Sequence, residues 1–514
     1  MWQYVLTLVI LVACLPFIVI MYKLQVSKKK LKGYQDQGLR TMNFPVAGWF
    51  SLYSRDHPEN KKGSNIGRLI SEIRKDPYAP AIVFNRVGSP GCALQLLNIE
   101  YIKEYYTKED MFSKVPHEKN TEWLMSFYFY DNQKAAKCKL IFSNLFHYSN
   151  LVKFTPMMFD MITEETQKMI ASKSINSESF TRINLEEYFD PIFDRILSII
   201  LFGDKEVAVG KSGKSISRLC MSWLKLIPSI RSNLFYVLFP DLTSRFNILD
   251  SQKQVLSINK EISEILQKKY KEKQNKKDLG NSAFDHIINH NNNCIKEGNN
   301  EDYLDDKAVL GIVNLLQIAG NDTSSSTSVQ SLCFAAQHPE HQKVFEDINT
   351  RMYDTDGNID VDSIDSDKPL DLWVKEALRM FNPTNKLTPR VALQDVKLKD
   401  LLIKKDDTVQ VSLAFTRFNE LVFKDSNHFD MKRFEKTMDK DVERYAYNPF
   451  SQGKRACMGK HLGELMIKLM LTQFMKHFEL RKPDDIEYYT DCMFMTHETN
   501  PVVEVRLKSK QVSK

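Results

Sequence analysis

The chain has 514 residues, of which 43% are hydrophobic and 26% are charged, a composition that excludes a disordered or low-complexity protein and favours a large core. The formal net charge is +6, but almost all of this excess lies near the amino terminus. The nearly neutral remainder excludes the basic face that nucleic-acid binding needs. Eight cysteines lie singly along the chain, a pattern typical of reduced proteins that face the cytosol.

The amino-terminal segment, residues 2–22, contains no charged residue. At 1.5 Å per helical residue it reaches the ~30 Å of a bilayer's hydrocarbon core. Lysines follow on its carboxyl side, which predicts a cytosolic body by the positive-inside rule. A cleaved signal peptide is the alternative, but its basic segment should precede the apolar stretch, and a cleavage site with small residues should follow. We predict a transmembrane anchor over 1–22, a basic linker with a Pro-containing hinge over 23–50, and one domain over 51–514.

Helix-period spacing of apolar residues dominates this domain. From Leu304 to Gln337 no proline interrupts the chain, which predicts a helix of about 50 Å that crosses the whole domain. Two polar stretches, residues 268–281 and 289–302, have few apolar residues. We predict that both are surface connections.

One ten-residue segment, FSQGKRACMG, predicts cofactor chemistry. Cys457 stands just ahead of an amphipathic helix, where unpaired backbone N–H groups favour a thiolate, and a thiolate is a metal ligand. Gly453 and Gly459 let the backbone turn and approach a large flat partner, and Phe450 can shield the sulfur from water. Arg455 can meet an anionic group at the edge of that partner. Haem has the iron, the flat apolar faces and the carboxylates that these residues require.

This segment resembles the haem-binding loop of the cytochrome P450 family, the haem-thiolate monooxygenases, because it fills every fixed position of F-x-x-G-x-R-x-C-x-G. Two further family motifs occur upstream in the family's order, so the resemblance covers essentially the whole body. It implies a mainly α fold with a small β-rich portion in a single haem-binding catalytic domain. It also implies Cys457 as the axial ligand of a non-covalent haem b.

The first upstream motif is E-x-x-R, filled by Glu376 and Arg379. Arg433 lies in a segment that resembles the family's source of a second arginine, although Met431 replaces the usual proline there. The resemblance implies a buried structural network in which one carboxylate bridges two guanidiniums. Removal of any member would leave a buried charge without its partner.

The second upstream motif, AGNDTS in the long helix, resembles the family's A/G-G-x-D/E-T. Glycine followed by hydroxyl side chains is predicted to interrupt the main-chain hydrogen bonds and to form a groove that can hold dioxygen. The resemblance implies that Thr323 hydrogen-bonds dioxygen or its water and that Asp322 delivers protons. Ala319 stands where fatty-acid ω-hydroxylases often carry a glutamate that esterifies haem, so covalent attachment by that route is not expected.

The chain departs from the family in the stretch where many members carry W-x-x-x-R against the haem propionates. Ala135 and Lys139 occupy these two positions, so the cation is kept and the tryptophan is lost. We therefore expect Lys139, Arg390 and Arg455 to share the propionates.

The resemblance implies a monooxygenase of the endoplasmic reticulum membrane, with its catalytic domain on the cytosolic face, that inserts one oxygen atom of O2 into a lipophilic substrate. The chain has no G-x-G-x-x-G dinucleotide site, so electrons are expected from NADPH through a membrane-bound flavoprotein reductase. Lys454 and Lys460 could form part of its docking face. A family member that isomerises or dehydrates peroxides, and a non-catalytic haem sensor, remain the alternatives.

Family resemblance places substrate contacts at Ala319, Leu387 and Phe494 and in the aromatic segment 117–130. Such side chains predict a sterol, a fatty acid or a lipophilic foreign compound, and the sequence does not choose among them.

Overall fold

The fold is taken from a computed structural model, and the structure describes residues 28–42, 67–85, 91–114, 132–233, 240–276, 278–353, 361–385, 387–413, 417–436, 438–491 and 496–508, with isolated positions at 18, 21, 22, 25, 26, 58, 236 and 359. The predicted membrane anchor therefore lies almost wholly outside the described residues. Among those that are described, no helix combines the length and the apolar composition needed to cross a bilayer.

The described part of the chain is mostly helical with a smaller sheet portion, as predicted. The helices are α1 (Gly67–Lys75), α2 (Ile99–Thr107), α3 (Asn132–Phe142), α4 (Tyr148–Leu151), α5 (Thr155–Ser172), α6 (Leu185–Phe202), α7 (Ile216–Ser232), α8 (Pro240–Phe246), α9 (Asp250–Gln274), α10 (Ala283–Glu297), α11 (Asp306–Gln337), α12 (Lys343–Met352), α13 (Val361–Ser366), α14 (Lys368–Met380) and α15 (Lys460–His477).

The strands are short. They are β1 (Arg40–Met42), β2 (Ala81–Asn85), β3 (Cys92–Leu96), β4 (Phe112–Lys114), β5 (Thr181–Asn184), β6 (Arg390–Ala392), β7 (Val396–Leu398), β8 (Leu401–Ile403), β9 (Thr408–Val411), β10 (Phe478–Arg481), β11 (Thr490–Asp491), β12 (His497–Glu498) and β13 (Val502–Leu507). The largest sheet has the order β1-β2-β3-β9-β6-β4, and a second sheet has the order β10-β13-β5. Two smaller sheets pair β7 with β8 and β11 with β12.

Helix α11 runs through the helical core and confirms the long helix predicted from the sequence. Asp305 caps its amino terminus, because the Asp305 carboxylate accepts the N–H of Ala308 at 2.7 Å. The helix packs against α6, α7 and α15. At Gly320 it approaches α6 so closely that an added Cβ would lie 2.9 Å from Leu197 Cδ2. Any larger residue here would therefore have to displace the Leu197 side chain.

The two polar stretches predicted as surface connections lie mostly at the surface, but they are mostly helical, so the prediction of connections was wrong. Helix α9 continues to Gln274 and α10 continues to Glu297. Tyr270 and Lys273 are buried, and the ammonium of Lys273 lies 3.0 Å from the buried carboxylate of Asp285. Few apolar residues suffice here because a buried ion pair and side-chain hydrogen bonds join the two helices to the core.

The segment predicted as a linker is folded where the structure describes it. Residues 28–35 are helical, and Leu31, Tyr34 and Leu39 are buried against the large sheet. The Tyr34 hydroxyl donates to the buried carboxylate of Asp407, which also accepts the N–H of Cys92 at 2.7 Å. This segment is therefore attached to the domain by packing and by buried hydrogen bonds.

A buried carboxylate on α14 joins three parts of the chain. The Glu376 side chain is fully buried and accepts two hydrogen bonds from Arg379, from Nε at 2.7 Å and from Nη2 at 2.8 Å. Arg433 Nε donates to the same carboxylate at 3.2 Å, and so does the backbone N–H of Asp430 at 2.8 Å. The structure thus brings together the three residues of the expected network and adds a backbone donor.

The two arginines of the network also donate hydrogen bonds to backbone carbonyls. Arg379 Nη1 donates to the carbonyls of Arg417 and Ser426, both at 2.8 Å, and Nη2 donates to that of His428 at 3.1 Å. Arg433 Nη2 donates to the carbonyl of Asp425 at 2.5 Å. The two arginines therefore hold the irregular segment 417–436 against α14, where few regular backbone hydrogen bonds are available.

We expect Glu376→Gln to destabilise the domain by about 3–5 kcal/mol, because it leaves a buried guanidinium without its counter-charge. The measurement is the free energy of unfolding in denaturant, with soluble yield as a second readout. Lys375→Met is the matched control on the same helix, since Lys375 pairs with Asp371 at 2.9 Å and both side chains are about 40% exposed. That change should cost less than about 0.5 kcal/mol. Similar losses of unfolding free energy in the two variants would contradict a special role for the buried carboxylate.

Candidate haem-thiolate site

The loop that carries Cys457 is closed by its own backbone. The N–H of Cys457 donates to the carbonyl of Phe450 at 2.8 Å. Ser451 and Gly453 adopt positive φ angles of 59° and 71°, a conformation that glycine adopts without strain. A Cβ at Gly453 would also lie 2.6 Å from Glu109 Oε2. The glycine is therefore needed for a sharp turn against a carboxylate.

Two properties of Cys457 describe its surroundings. Its residue surface is exposed, yet burial raises the pKa of its thiol, with the Gly459 N–H lowering it to a smaller extent. A side chain that lines a cavity inside the protein would have both properties. The backbone N–H favours a thiolate, as the sequence predicts, but desolvation outweighs it in the chain by itself. A bound metal cation would reverse that balance.

Two glycines follow the cysteine, and they differ in the space around them. A Cβ added at Gly459 would enter open space. At Gly463, in the first turn of α15, an added Cβ would lie 3.6 Å from Ser324 Oγ of α11 and 3.7 Å from the Phe450 ring. The cysteine loop, α15 and the centre of α11 therefore meet at one place.

Four cationic side chains surround the edge of the site. Lys114 and Arg390 are directly opposite each other in the antiparallel pair of β4 and β6. Lys139 comes from α3, and Arg455 comes from the cysteine loop. Burial and then the charges of Arg455, Arg390 and Lys139 lower the pKa of Lys114 to about 8. Burial also lowers the pKa of Lys139, with Cys457 opposing this shift.

Like charges opposite each other on neighbouring strands are destabilising. This arrangement is therefore explained best as a receptor for anionic groups, and the two carboxylates of a porphyrin fit it. Lys139, Arg390 and Arg455, which the sequence suggested, all belong to the cluster. Ala135 is buried, so α3 contributes its cation without the tryptophan that many relatives carry.

Sequence reasoning missed three residues of this edge. Lys114 belongs to the cationic cluster. Glu109 accepts the N–H of Lys454 at 2.8 Å and lies 3.5 Å from Arg390 Nη1. Asn132 Oδ1 accepts hydrogen bonds from Arg455 Nε at 3.1 Å and from Nη2 at 2.7 Å. These three residues have no motif of their own, and strand pairing and loop contacts alone bring them to the site.

The middle of α11 has an open face in an otherwise buried helix. Ala319 is exposed and Thr323, one turn later, is half-buried, whereas residues 324–333 are all buried. Thr323 Oγ1 donates to the carbonyl of Ala319 at 2.6 Å. The helix is continuous through Asp306–Gln337, all of which the structure describes. The groove predicted here therefore does not end the helix, and the back-bonded threonine makes the polar site on this face.

Asp322 points away from this open face. Its side chain is 5% exposed, and its Oδ2 has no hydrogen-bond partner among the described residues. Burial raises the pKa of Asp322, and His497 and Lys225 oppose the shift. His497 Nε2 lies 3.5 Å from Asp322 Oδ1. The sequence did not single out His497.

The remaining positions predicted for substrate contact and reductase docking lie in different parts of the chain. Leu387 is half-buried and packs against the core of the large sheet. Phe494 and the segment 117–130 lie outside the described residues. The ammonium of Lys454 binds both carboxylate oxygens of Asp110, at 2.7 and 2.6 Å, on the surface. Lys460 is exposed at the start of α15.

The residues present fit a haem. Cys457 is exposed, Gly459 leaves room beside it, cations lie at one edge, and a helix with an open polar face meets the same loop. Cys457 would hold the iron, and Lys114, Lys139, Arg390 and Arg455 would hold the propionates.

Comparison with known proteins agrees with this fit. Residues 92–505 match the family model described as Cytochrome P450. Tabersonine 16-hydroxylase 1 of Catharanthus roseus is 28% identical over 60% of this chain and 60% of its own length. Cytochrome P450 3A28 of Bos taurus is 24% identical over 67% of this chain and 68% of its own length. Cytochrome P450 4d1 of Drosophila melanogaster is 32% identical over 33% of each. The chain thus covers from one third to about two thirds of the length of these relatives.

We expect haem retention to depend on the charge of Lys114. A bound dianion should raise the pKa of Lys114 above its value of about 8. The lysine contribution to affinity is therefore complete below pH 8 and decreases as the pH rises from 8 towards the higher pKa of the bound state, by at most about tenfold per pH unit. The measurement is the equilibrium partition of haem between the holoprotein and apomyoglobin. Lys114→Arg should retain haem without this pH dependence, because a guanidinium stays charged.

Lys114→Met should bind haem more weakly at pH 7 and also lose the pH dependence. The control is Lys103→Met, which removes an exposed lysine that pairs with Asp441 at 2.7 Å. An unchanged pH dependence in Lys114→Arg would assign the titration to another group.

Proposed function

Since the chain belongs to the cytochrome P450 family, we propose that it is a membrane-anchored haem-thiolate monooxygenase acting on a lipophilic substrate RH. The balanced reaction is RH + O2 + NADPH + H⁺ → ROH + H2O + NADP⁺. Two relatives are named tabersonine 16-hydroxylases, and hydroxylation is one outcome of this reaction. The substrate itself is not assigned.

One arrangement supports the proposal most strongly. Cys457 is exposed on a loop closed by its hydrogen bond to Phe450, although burial raises the pKa of its thiol. Lys139 of the four-cation cluster interacts with it electrostatically. A structural cysteine of the core needs no cationic cluster, whereas a thiolate ligand with a dianionic porphyrin needs both features.

The chain's own groups then have distinct roles. Cys457 binds the iron, and the cluster of Lys114, Lys139, Arg390 and Arg455 orients the porphyrin through its carboxylates. When bound, the haem supplies the iron at which dioxygen is activated. Thr323 presents its hydroxyl on the open face of α11, and Asp322 holds the proton that this face requires. The Glu376 network maintains the position of the cysteine loop.

The proposal includes the partners and location of the enzyme. Electrons come from NADPH through a flavoprotein reductase of the same membrane, and the catalytic unit is residues 51–514. Lys454 is partly neutralised by Asp110, so the exposed Lys460 is the better candidate of the two lysines for reductase docking. An anchor over 1–22 places the enzyme in the endoplasmic reticulum membrane with its catalytic domain in the cytosol.

The first test is the absorption spectrum of the ferrous carbonyl complex of the full chain. We expect a strongly red-shifted Soret band, which reports thiolate ligation, and we expect Cys457→Ser to lose it. Cys294→Ser is the matched control, because Cys294 is a buried cysteine of α10. An unshifted band in the unaltered chain would exclude the haem-thiolate assignment.

The same purified protein also distinguishes a monooxygenase from the alternative functions. A monooxygenase consumes NADPH only when the reductase is added, whereas a peroxide isomerase or dehydratase converts an organic hydroperoxide without NADPH. A sensor does neither. NADPH consumption that depends on the reductase supports the proposed reaction.

The second test is flotation of the full chain with phospholipid vesicles in a density gradient. The full chain should float with the vesicles, because 21 consecutive uncharged residues suffice to span the hydrocarbon core if they form a helix. A variant that lacks residues 2–22 should show markedly weaker association. The control replaces three lysines of the segment 28–32 by Gln while the apolar stretch stays intact, and it should still float. Equal flotation with and without residues 2–22 would contradict the anchor.

A further inference from the structure

Asp322 is a buried carboxyl whose connection to solvent the family motif does not explain. One of its oxygens has no hydrogen-bond partner among the described residues, and the other lies 3.5 Å from His497 Nε2. The imidazole of His497 is 29% exposed, whereas Asp322 is 5% exposed. His497 therefore lies between an isolated buried acid and a region that water reaches.

A second acid, Glu186, lies near the same histidine. Glu186 is half-buried in the first turn of α6. Burial raises its pKa, the charges of His497 and Lys225 oppose the shift, and Asp322 adds to it. These four residues therefore interact electrostatically although they come from α6, α7, α11 and β12.

Further charged and titratable groups surround this pair. Asp491 is opposite His497 in the β11–β12 pair. On α7, the buried thiol of Cys220 interacts with Asp322. One turn along α6, Asp190 interacts with Glu186 and lies 3.9 Å from the exposed Arg218.

We propose that His497 transfers protons to Asp322 and so connects the open face of α11 to solvent. This inference rests on the proposed function. His497 is a positioning residue here, since it acts through Asp322. An imidazole suits this role because one ring nitrogen can accept a proton while the other donates one. The imidazole is 29% exposed, so water returns a proton to it after each transfer.

The proposal predicts how NADPH-derived electrons divide between two products when no substrate is present. With protons delivered, O2 + 2 NADPH + 2 H⁺ gives 2 H2O + 2 NADP⁺. When delivery fails, O2 + NADPH + H⁺ gives H2O2 + NADP⁺. The ratio of NADPH to O2 consumed, together with the yield of H2O2, measures this division without any knowledge of the substrate.

The experiment compares His497→Gln and His497→Arg with the unaltered full chain, in vesicles that contain the flavoprotein reductase. Both variants should form water about tenfold more slowly, which is less than the ~10²-fold that a positioned acid itself contributes because water keeps a slower route. Both variants should also release a larger share of peroxide, because neither the Gln amide nor the Arg guanidinium takes up and releases a proton as an imidazole does.

His497→Arg distinguishes proton transfer by His497 from simple charge pairing with Asp322. If His497 only neutralises Asp322, His497→Arg should behave like the unaltered chain, and that result overturns the proposal. An unchanged product division in His497→Gln also overturns the proposal.

Two controls keep this result distinct from a failure of the fold or of the proposed function. His338→Gln removes a histidine that pairs with Glu340 at 3.3 Å at the carboxyl end of the same helix, and its product division should be unchanged. The ferrous carbonyl spectrum of each variant should keep its red-shifted band. An unaltered chain that lacks this band, or that oxidises no NADPH with the reductase, overturns the proposed function and the relay together. An intact band with unaltered product division in His497→Gln overturns the relay alone.

Discussion

The buried carboxylate of Glu376 is the interaction on which the geometry of the site depends. It binds Arg379 and Arg433, and those arginines hold the irregular segment 417–436 against α14. The same helix also holds the chain on both sides of the cysteine loop. Tyr447 donates to the carbonyl of Lys375 at 3.0 Å, just before the loop.

After the loop, the buried ammonium of Lys468 on α15 lies 3.4 Å from Asp371 of α14. A loop without regular secondary structure is fixed when the elements at both of its ends are fixed, because its remaining freedom is small. The Glu376 network therefore acts on Cys457 through α14 without touching it.

The cationic edge and the two sides of α11 illustrate how a functional site departs from what stability alone would favour. Lys114 and Arg390 are opposite each other on paired strands at an electrostatic cost, and Asp322 is buried with one oxygen unpaired. Neighbouring residues on a helix point about 100° apart, so Asp322 and Thr323 face different sides of α11. Such local conflicts are expected where binding or catalysis requires them.

The amino-acid sequence by itself determined the parts of this protein whose physical requirements are local. The spacing within FSQGKRACMG identified a turn, a cysteine before a helix and an arginine, and the spacing of Glu376 and Arg379 placed two ions on one helix face. The long stretch without proline identified α11. The polar stretches near 270 and 295 were misread because the ion pair between Lys273 and Asp285 forms between two helices and leaves no periodic signal.

Only the tertiary structure decided which distant residues complete the site. Lys114 meets Arg390 through strand register, Glu109 meets Lys454 across 345 positions of the chain, and His497 meets Asp322 through a two-residue strand. Each of these contacts joins side chains that are unremarkable in their own segments. Their role follows from burial and from the charges that face them, and both depend on how the whole chain packs.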